Sequence, residues 1–294
     1  MDEVYLVAGP ASKELAEKTA KLLRGKTLEV QHKLFPDGEN YFRVTGGEMS
    51  RHVIVIQSTY PPQDVHLMQL MLLSSKLAED GAKVIAVVPY LAYARQHRSF
   101  LQGEVVSLKA VAGLMAAAGI RRMVTVDIHN VEGLGFFSMP AHSISAIPLL
   151  AEYVSKSLLS KPLVVGPDRG SSVRAEAMAT RMDADYIVME KSRDRTTGET
   201  TVAMPAGAGV SGRDVVVVDD LISTGGTIAK TAKLLRVNGA KKVIVACTHA
   251  LLAEGAMERM KEAGVEDLVA TDTIPGKHSK VTVAPLLAEF IRQL

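Results

Sequence analysis

Short runs rich in β-branched residues alternate with longer amphipathic stretches along most of the chain, and this alternation limits the possible folds more than any other feature. VYLVAG, HVIVIQS, KVIAVVPY and MVTVDIH read as strands in the first half, and PLVVGPD, DYIVME, DVVVVDD and KVIVACTH in the second. Between them, ASKELAEKTAKLL, LMQLMLLSSKLAEDG, SSVRAEAMATRM and GTIAKTAKLLRVNG have helical spacing, and two of these end at a glycine suited to a C-cap. Strands alternating with helices predict an α/β fold of mainly parallel sheets with helices on both faces.

The two halves also resemble each other. EVYLVAGPASKELAEKTAKLL aligns with KPLVVGPDRGSSVRAEAMATRM, each with Gly-Pro after the strand, and a "helix, Gly-Ala-Lys, strand" pattern recurs at KLAEDGAKVIAVVPY and KLLRVNGAKKVIVACTH. A duplicated unit accounts for both marks, which predicts two tandem α/β domains, 1–147 and 148–294. The length of 294 residues accommodates two such domains, and 47% hydrophobic with 22% charged residues suits a globular chain. A net charge of +2 gives no footprint for nucleic acid. No apolar run is long enough for a membrane span, and the start at Met1 lacks the basic n-region of a secretory leader. The single cysteine, Cys247 in VIVAC, reads as a buried thiol, so a cytoplasmic location is expected. The C-terminal VTVAPLLAEFIRQL has helical spacing and is a candidate to pack back on the body, including on the first domain.

The chemistry concentrates in VVVVDDLISTGGTIAKTAKLL, where a strand runs through two carboxylates and a hydroxyl- and glycine-rich loop into a helix. The helix start offers backbone N–H groups and the positive dipole end, Gly225 and Gly226 allow close approach, and Ser223, Thr224 and Thr227 add hydroxyls. Such a loop suits a phosphate monoester, which Asp219 and Asp220 would repel. Carboxylates at the end of a strand accept hydrogen bonds from sugar hydroxyls, directly or through a cation, so the whole loop fits a phosphosugar. Neither a Walker A loop nor a G-x-G-x-x-G turn is present. At the matching place the first half has QSTYPPQDV, with prolines and no glycine pair, so one working loop is expected.

The segment resembles the binding motif for 5-phosphoribosyl 1-diphosphate (PRPP), which leaves either an enzyme that consumes PRPP or one that makes it. Over nearly its full length the chain looks like the ribose-phosphate pyrophosphokinases, with two phosphoribosyltransferase-type domains in tandem. Four segments carry that resemblance. LFPDGENYFR, by itself a turn between strands, matches the hairpin that in the family supplies part of the ATP site, usually of a neighbouring subunit; Phe35 would pack on adenine while Asp37 and Glu39 contact the base. PYLAYARQHRSF places Arg95 and Gln96 where the family has an Arg-Gln pair on ATP, and His97, where the family often has aspartate, is left without a role. In MVTVDIHNV, His129 matches a histidine that helps hold magnesium–ATP, together with the aspartate of a Gly-Pro-Asp turn, here Asp168. That turn, with Arg169, Gly170 and Ser171, resembles the family's diphosphate-binding turn.

The fourth segment, VMEKSRDRTTGET, reads on composition as a charged loop after a strand, and it matches a catalytic loop in which Lys191 and Arg193 close over the phosphates. The resemblance implies transfer of the β,γ-diphosphoryl group of ATP to the C1 hydroxyl of ribose 5-phosphate, with Mg2+ as cofactor and self-association that shares the ATP site between subunits. A base phosphoribosyltransferase and a catalytically silent regulatory subunit are the rival readings. The ATP-type segments favour the maker over the first, and retention of Lys191, Arg193, His129 and the hydroxyl loop argues against the second.

Overall fold

The computed structural model describes residues 4–46, 52–157, 161–193 and 200–294; the side chains of residues 191–193, 200 and 201 lie outside the described set. The chain divides into two compact units, one of residues 1–145 with 282–294 and the other of residues 146–281. The break in sequence falls at Ser145/Ala146, and the last residues of the chain belong to the first unit, not to the second.

In the first unit, β1 (Tyr5–Ala8) leads through α1 (Lys13–Leu23) to β2 (Lys26–Leu34), which turns into β3 (Asn40–Thr45). There follow β4 (His52–Ile56), α2 (Gln63–Glu79), β5 (Lys83–Val88), α3 (Ser107–Ala117), β6 (Ile120–Val126) and β7 (Ala141–Ile144). The seven strands form one sheet in the order β3-β2-β1-β4-β5-β6-β7. Only the β2–β3 hairpin at its edge is antiparallel; every other pairing is parallel. The valine-rich central strands are buried on both faces, as parallel strands require. Leu70, Leu73 and Leu77 of α2 recur at helical spacing, are fully buried, and join Val53, Val55, Val84 and Ala86 in one core. Each such side chain stabilises the fold by roughly 1.5–3 kcal/mol through burial.

The second unit runs α4 (Ile147–Ser155), β8 (Leu163–Gly166), α5 (Ser172–Met182), β9 (Asp185–Val188), β10 (Glu190–Arg193), β11 (Thr200–Ala203) and β12 (Asp214–Ile222). It continues with α6 (Gly226–Val237), β13 (Lys242–Ala250), α7 (Ala256–Glu262), β14 (Asp267–Thr271) and β15 (Ser279–Val281). Its main sheet has the order β15-β14-β13-β12-β8-β9 and is parallel throughout. Alternate residues of β12 face different cores: Val215 and Val217 pack with Ile228 and Leu235 of α6, while Val216 and Val218 pack with Ala175 and Met178 of α5. β10 and β11 form a separate antiparallel hairpin, so part of the segment read as a plain charged loop is paired strand.

The final helix, α8 (Ala284–Arg292), lies on α1, and Arg292 donates to the Leu22 carbonyl at 2.7 Å. Leu287, Ala288 and Ile291 are its buried stripe. Replacing Leu287 with alanine is therefore expected to destabilise the protein by about 2–5 kcal/mol. Urea unfolding of the variant measures this, and a loss within error of zero would remove α8 from the structural core.

Candidate functional site

In the second unit the residues of interest gather where β8 and β12, neighbours in the sheet, reach their C-terminal ends. This is the edge at which open α/β sheets collect ligands. Asp219 and Asp220 belong to the strand itself, not to the loop, because β13 runs alongside as far as Ala250 and keeps Leu221 and Ile222 paired. Asp220 is buried, Asp219 half-buried, and the Asp220 N–H donates to the Asp219 carboxylate at 2.9 Å. Arg174, on α5, places its guanidinium 3.2 Å from Asp220 and donates to the Gly170 carbonyl at 2.9 Å. One arginine thus ties the end of β12 to the turn after β8. Burial first, and the neighbouring charge of Asp220 second, push the Asp219 carboxyl well above the usual carboxylate range, against the pull of Arg174. Cys247, paired with Asp219 in register, is buried, and burial together with the two carboxylates raises its thiol well above the ordinary value.

The loop that follows is held from outside. Ser223 accepts the Ala253 N–H at 3.0 Å through its carbonyl, and Arg259 of α7 donates to the Thr224 carbonyl. Gly225 caps α6 in the left-handed region, at φ 71°. A Cβ there would also stand 3.0 Å from the Ala256 carbonyl oxygen and 3.1 Å from the Met260 side chain, so both conformation and space demand glycine. Gly226 and Thr227 form the first turn of α6, whose leading amides an α-helix leaves without internal partners.

In the turn after β8, Asp168 is half-buried, Arg169 and Gly170 are exposed, and Ser171 is fully buried. The Ser171 hydroxyl donates to the Asp168 carbonyl at 2.6 Å, and its backbone N–H points to the same oxygen at 3.1 Å. Ser171 therefore shapes the turn, and its amide is already engaged. The backbone of Lys191 pairs with Val202 and that of Arg193 with Thr200; their side chains and residues 194–199 lie outside the described residues. The strand is anchored just before, where the Met189 N–H donates to the Gly166 carbonyl at 2.8 Å.

In the first unit, Phe35, Asp37 and Glu39 occupy the exposed tip of the β2–β3 hairpin. The turn closes with Phe35 N–H on the Glu39 carbonyl at 2.8 Å, and the Asp37 carboxylate accepts the Glu39 N–H at 3.1 Å. The Phe35 ring stands edge-on to Tyr41 at 6.0 Å, with the Lys33 ammonium 5.0 Å from its centroid. Arg95, Gln96 and His129 are exposed beyond the ends of the adjacent strands β5 and β6. Gln96 accepts the Ser107 hydroxyl at 2.5 Å. His97 sits with its ring 6.3 Å from that of His129 and its Nε2 3.0 Å from the Asn130 amide.

The first-half counterpart of the sugar-type loop is closed by its own side chains. Gln57, Ser58 and Thr59 are all buried. The Ser58 N–H donates to the Ser12 hydroxyl at 2.8 Å, its hydroxyl accepts the Tyr90 N–H at 3.0 Å, and the Thr59 hydroxyl bonds the Tyr90 carbonyl at 2.9 Å. Sequence reasoning found the carboxylates and the glycines. It ended the diphosphate-type segment at Arg174 without giving that side chain a role, and it missed Arg259 and Met260, which carry no local motif and become visible only when α7 comes behind the loop.

The comparisons with known proteins agree with this geometry. Residues 4–119 match the model for the N-terminal domain of ribose phosphate pyrophosphokinase, and residues 141–284 match the phosphoribosyl transferase domain. The chain is 39% identical to the ribose-phosphate pyrophosphokinase of Sulfurisphaera tokodaii, over 99% of this chain and 100% of the relative. It is 40% identical to that of Methanothermobacter thermautotrophicus, over 98% of this chain and 99% of the relative. The crystal structure of phosphoribosylpyrophosphate synthetase from Mycobacterium smegmatis superposes with a TM-score of 0.86 at 32% identity, covering 99% of this chain and 98% of that one. The chain belongs to the ribose-phosphate pyrophosphokinase family.

Proposed function

We propose that the protein transfers the β,γ-diphosphoryl group of ATP to the C1 hydroxyl of ribose 5-phosphate, giving PRPP and AMP for nucleotide biosynthesis. The observation that carries this reading is the asymmetry of the two units. The second has a glycine-capped helix start next to two carboxylates, one buried and one half-buried, and the first has the same position sealed by Gln57, Ser58 and Thr59. One phosphosugar site remains, and the first unit is free to serve a second substrate.

In this reading Ser223 to Thr227 take the 5-phosphate on amides and hydroxyls, and Asp219 and Asp220 accept the ribose hydroxyls. Arg174 holds Asp220 in place and shares the turn of Asp168, Arg169 and Gly170, which takes the diphosphate. Phe35, Asp37 and Glu39, with Arg95, Gln96 and His129, bind ATP; the hairpin serves a neighbouring subunit's site, so the protein self-associates. Lys191 and Arg193 balance the charge that builds on the transferred group and on the leaving oxygen of AMP. Among the described residues no helix is long and apolar enough to cross a membrane, and the reaction belongs with cytoplasmic nucleotide supply.

The donor set also suits Mg2+. Asp219 and Asp220 are adjacent carboxylates; burial first and the charge of Asp220 second raise the Asp219 carboxyl, and Asp168 adds to the effect. Oxygen ligands with excess negative charge favour a hard divalent cation that completes its shell with water and phosphate oxygens. The family resemblance assigns His129 and Asp168 to it; among the described residues no three His, Cys, Asp or Glu side chains form a metal cluster by themselves, in keeping with an ion that needs few protein ligands. When bound, Mg2+ neutralises phosphate charge and fixes phosphate oxygens for in-line attack. The side chains listed above orient the sugar and exclude its wrong faces; catalysis then rests on positioning and charge stabilisation.

The deciding experiment supplies ATP, Mg2+ and ribose 5-phosphate and looks for AMP together with PRPP, with chelator as control. Nucleotide formed instead from PRPP and a free base would replace this reading with that of a base phosphoribosyltransferase. Lys191→Ala is expected to lower turnover by about a hundred- to a thousandfold while ribose 5-phosphate still binds. A near-normal rate in that variant would take Lys191 out of the mechanism.

Asp219→Asn separates function from stability. A carboxyl held above its unfolded value disfavours folding once it ionises, so the penalty is absent at low pH and grows as pH rises toward the folded value. At neutral pH the asparagine variant should therefore have a higher ligand-free Tm than the parent, with the gain shrinking on acidification, and should lose turnover. Thermal unfolding across pH provides the check, and a lower Tm at neutral pH would contradict the raised Asp219 carboxyl.

A further inference from the structure

A line of buried amide side chains runs through the first unit from the sealed loop to the base of the hairpin. The Gln57 oxygen accepts the backbone N–H of Ala11 at 3.0 Å, and its nitrogen donates to the His66 carbonyl at 3.2 Å and to the Gln69 oxygen at 3.1 Å. The Gln69 nitrogen donates to the Asn40 oxygen at 3.0 Å, and His32 Nε2 reaches the same oxygen at 2.9 Å. Gln57 is 0% and Gln69 4% exposed. The orientation of every amide follows from one backbone donor. Because Ala11 N–H can only donate, the Gln57 atom facing it is oxygen, which makes its other end a donor to Gln69 and makes Gln69 a donor to Asn40. Asn40 therefore accepts twice, and His32 carries its proton on Nε2.

Asn40 opens β3 directly after the turn and pairs with Leu34, so it marks the point where the tip of the hairpin begins. His32 is further fixed by stacking on Phe42, with ring centroids 4.6 Å apart. In the alignment of the two halves, Gln57 stands where the second unit has Asp219. We propose that Gln57 and Gln69 are positioning residues, through which the former sugar loop of the first unit now anchors the hairpin that carries the adenine-binding Phe35, Asp37 and Glu39. This rests on the reading of that hairpin as part of the ATP site. A buried donor left without its acceptor destabilises one arrangement of the hairpin relative to others, and the effect travels along the line because each amide has a single compatible orientation.

The test is steady-state kinetics on the full-length protein with ATP and ribose 5-phosphate varied separately, alongside thermal unfolding. Gln69→Met is expected to raise the KM for ATP about tenfold, with kcat and the KM for ribose 5-phosphate changed by less than about twofold. Asn40→Leu should do the same, whereas Asn40→Asp, which keeps the twice-accepting oxygen, should stay within about threefold of the parent. Should Gln69→Met not fold, the Asn40 pair carries the same comparison. Phe35→Ala serves as the reference. If Phe35→Ala raises the KM for ATP while Gln69→Met and Asn40→Leu do not, the anchoring role is wrong and the ATP hairpin stands. Equal losses in Asn40→Asp and Asn40→Leu would also overturn it. If Phe35→Ala leaves the KM for ATP unchanged, the hairpin is not in the ATP site and the assignment of that site falls first.

Discussion

Two carboxylates on consecutive residues stand at the end of a buried strand, where burial first and the charge of Asp220 second hold the Asp219 carboxyl above its ordinary range. Asp219 and Asp220 stay close because β13 extends the pairing of β12 beyond them and Arg174 sets a guanidinium against Asp220. Removing one partner of such a largely buried pair typically costs about 3–5 kcal/mol, so Arg174 is held to its place as firmly as the acids are to theirs. The same arginine bonds the Gly170 carbonyl, which couples the turn after β8 to Asp220. Two neighbouring strand ends are thus joined by one side chain of α5.

The loop proposed for the phosphate depends on a different constraint. The left-handed Gly225 sets the start of α6, and α7 lies so close behind it that any larger residue would meet the Ala256 carbonyl. Arg259 from the same helix holds the Thr224 carbonyl. The loop is thus backed by another helix, the kind of support that fixes a loop's geometry in advance.

Comparison of the two units shows how duplication separated their tasks. At the position of the carboxylates the first unit has Gln57 and Ser58, whose hydrogen bonds run inward to Ala11, Ser12, Tyr90 and Gln69. In the first unit the polar groups at this position are part of the packing and are satisfied within the fold. The antiparallel β2–β3 hairpin at the sheet edge is the first unit's own addition, with no match in the parallel sheet of the second.

The residues by themselves determined the chemistry and the class of fold. Runs such as DVVVVDD and KVIVACTH admit little besides buried parallel strands, and a hydroxyl- and glycine-rich loop before a helix admits few ligands other than a phosphate. Shorter or more polar elements escaped that reading. AHSI of β7 lacks an apolar period, and SLKAVAGLMAA of α3 is too evenly apolar to show one face. Only the tertiary structure decided that β12 runs on past Asp219 and Asp220 through Leu221 and Ile222, since the length of a strand is set by the neighbour it pairs with. Only it decided that Ser171 is buried, that α8 returns to the first unit, and that Arg174, Gln57 and Gln69 hold what others use. The physical reason is common to all of these. Local sequence encodes period, charge and conformational preference, whereas a hydrogen bond between residues far apart in the chain exists only once packing has chosen which surfaces meet.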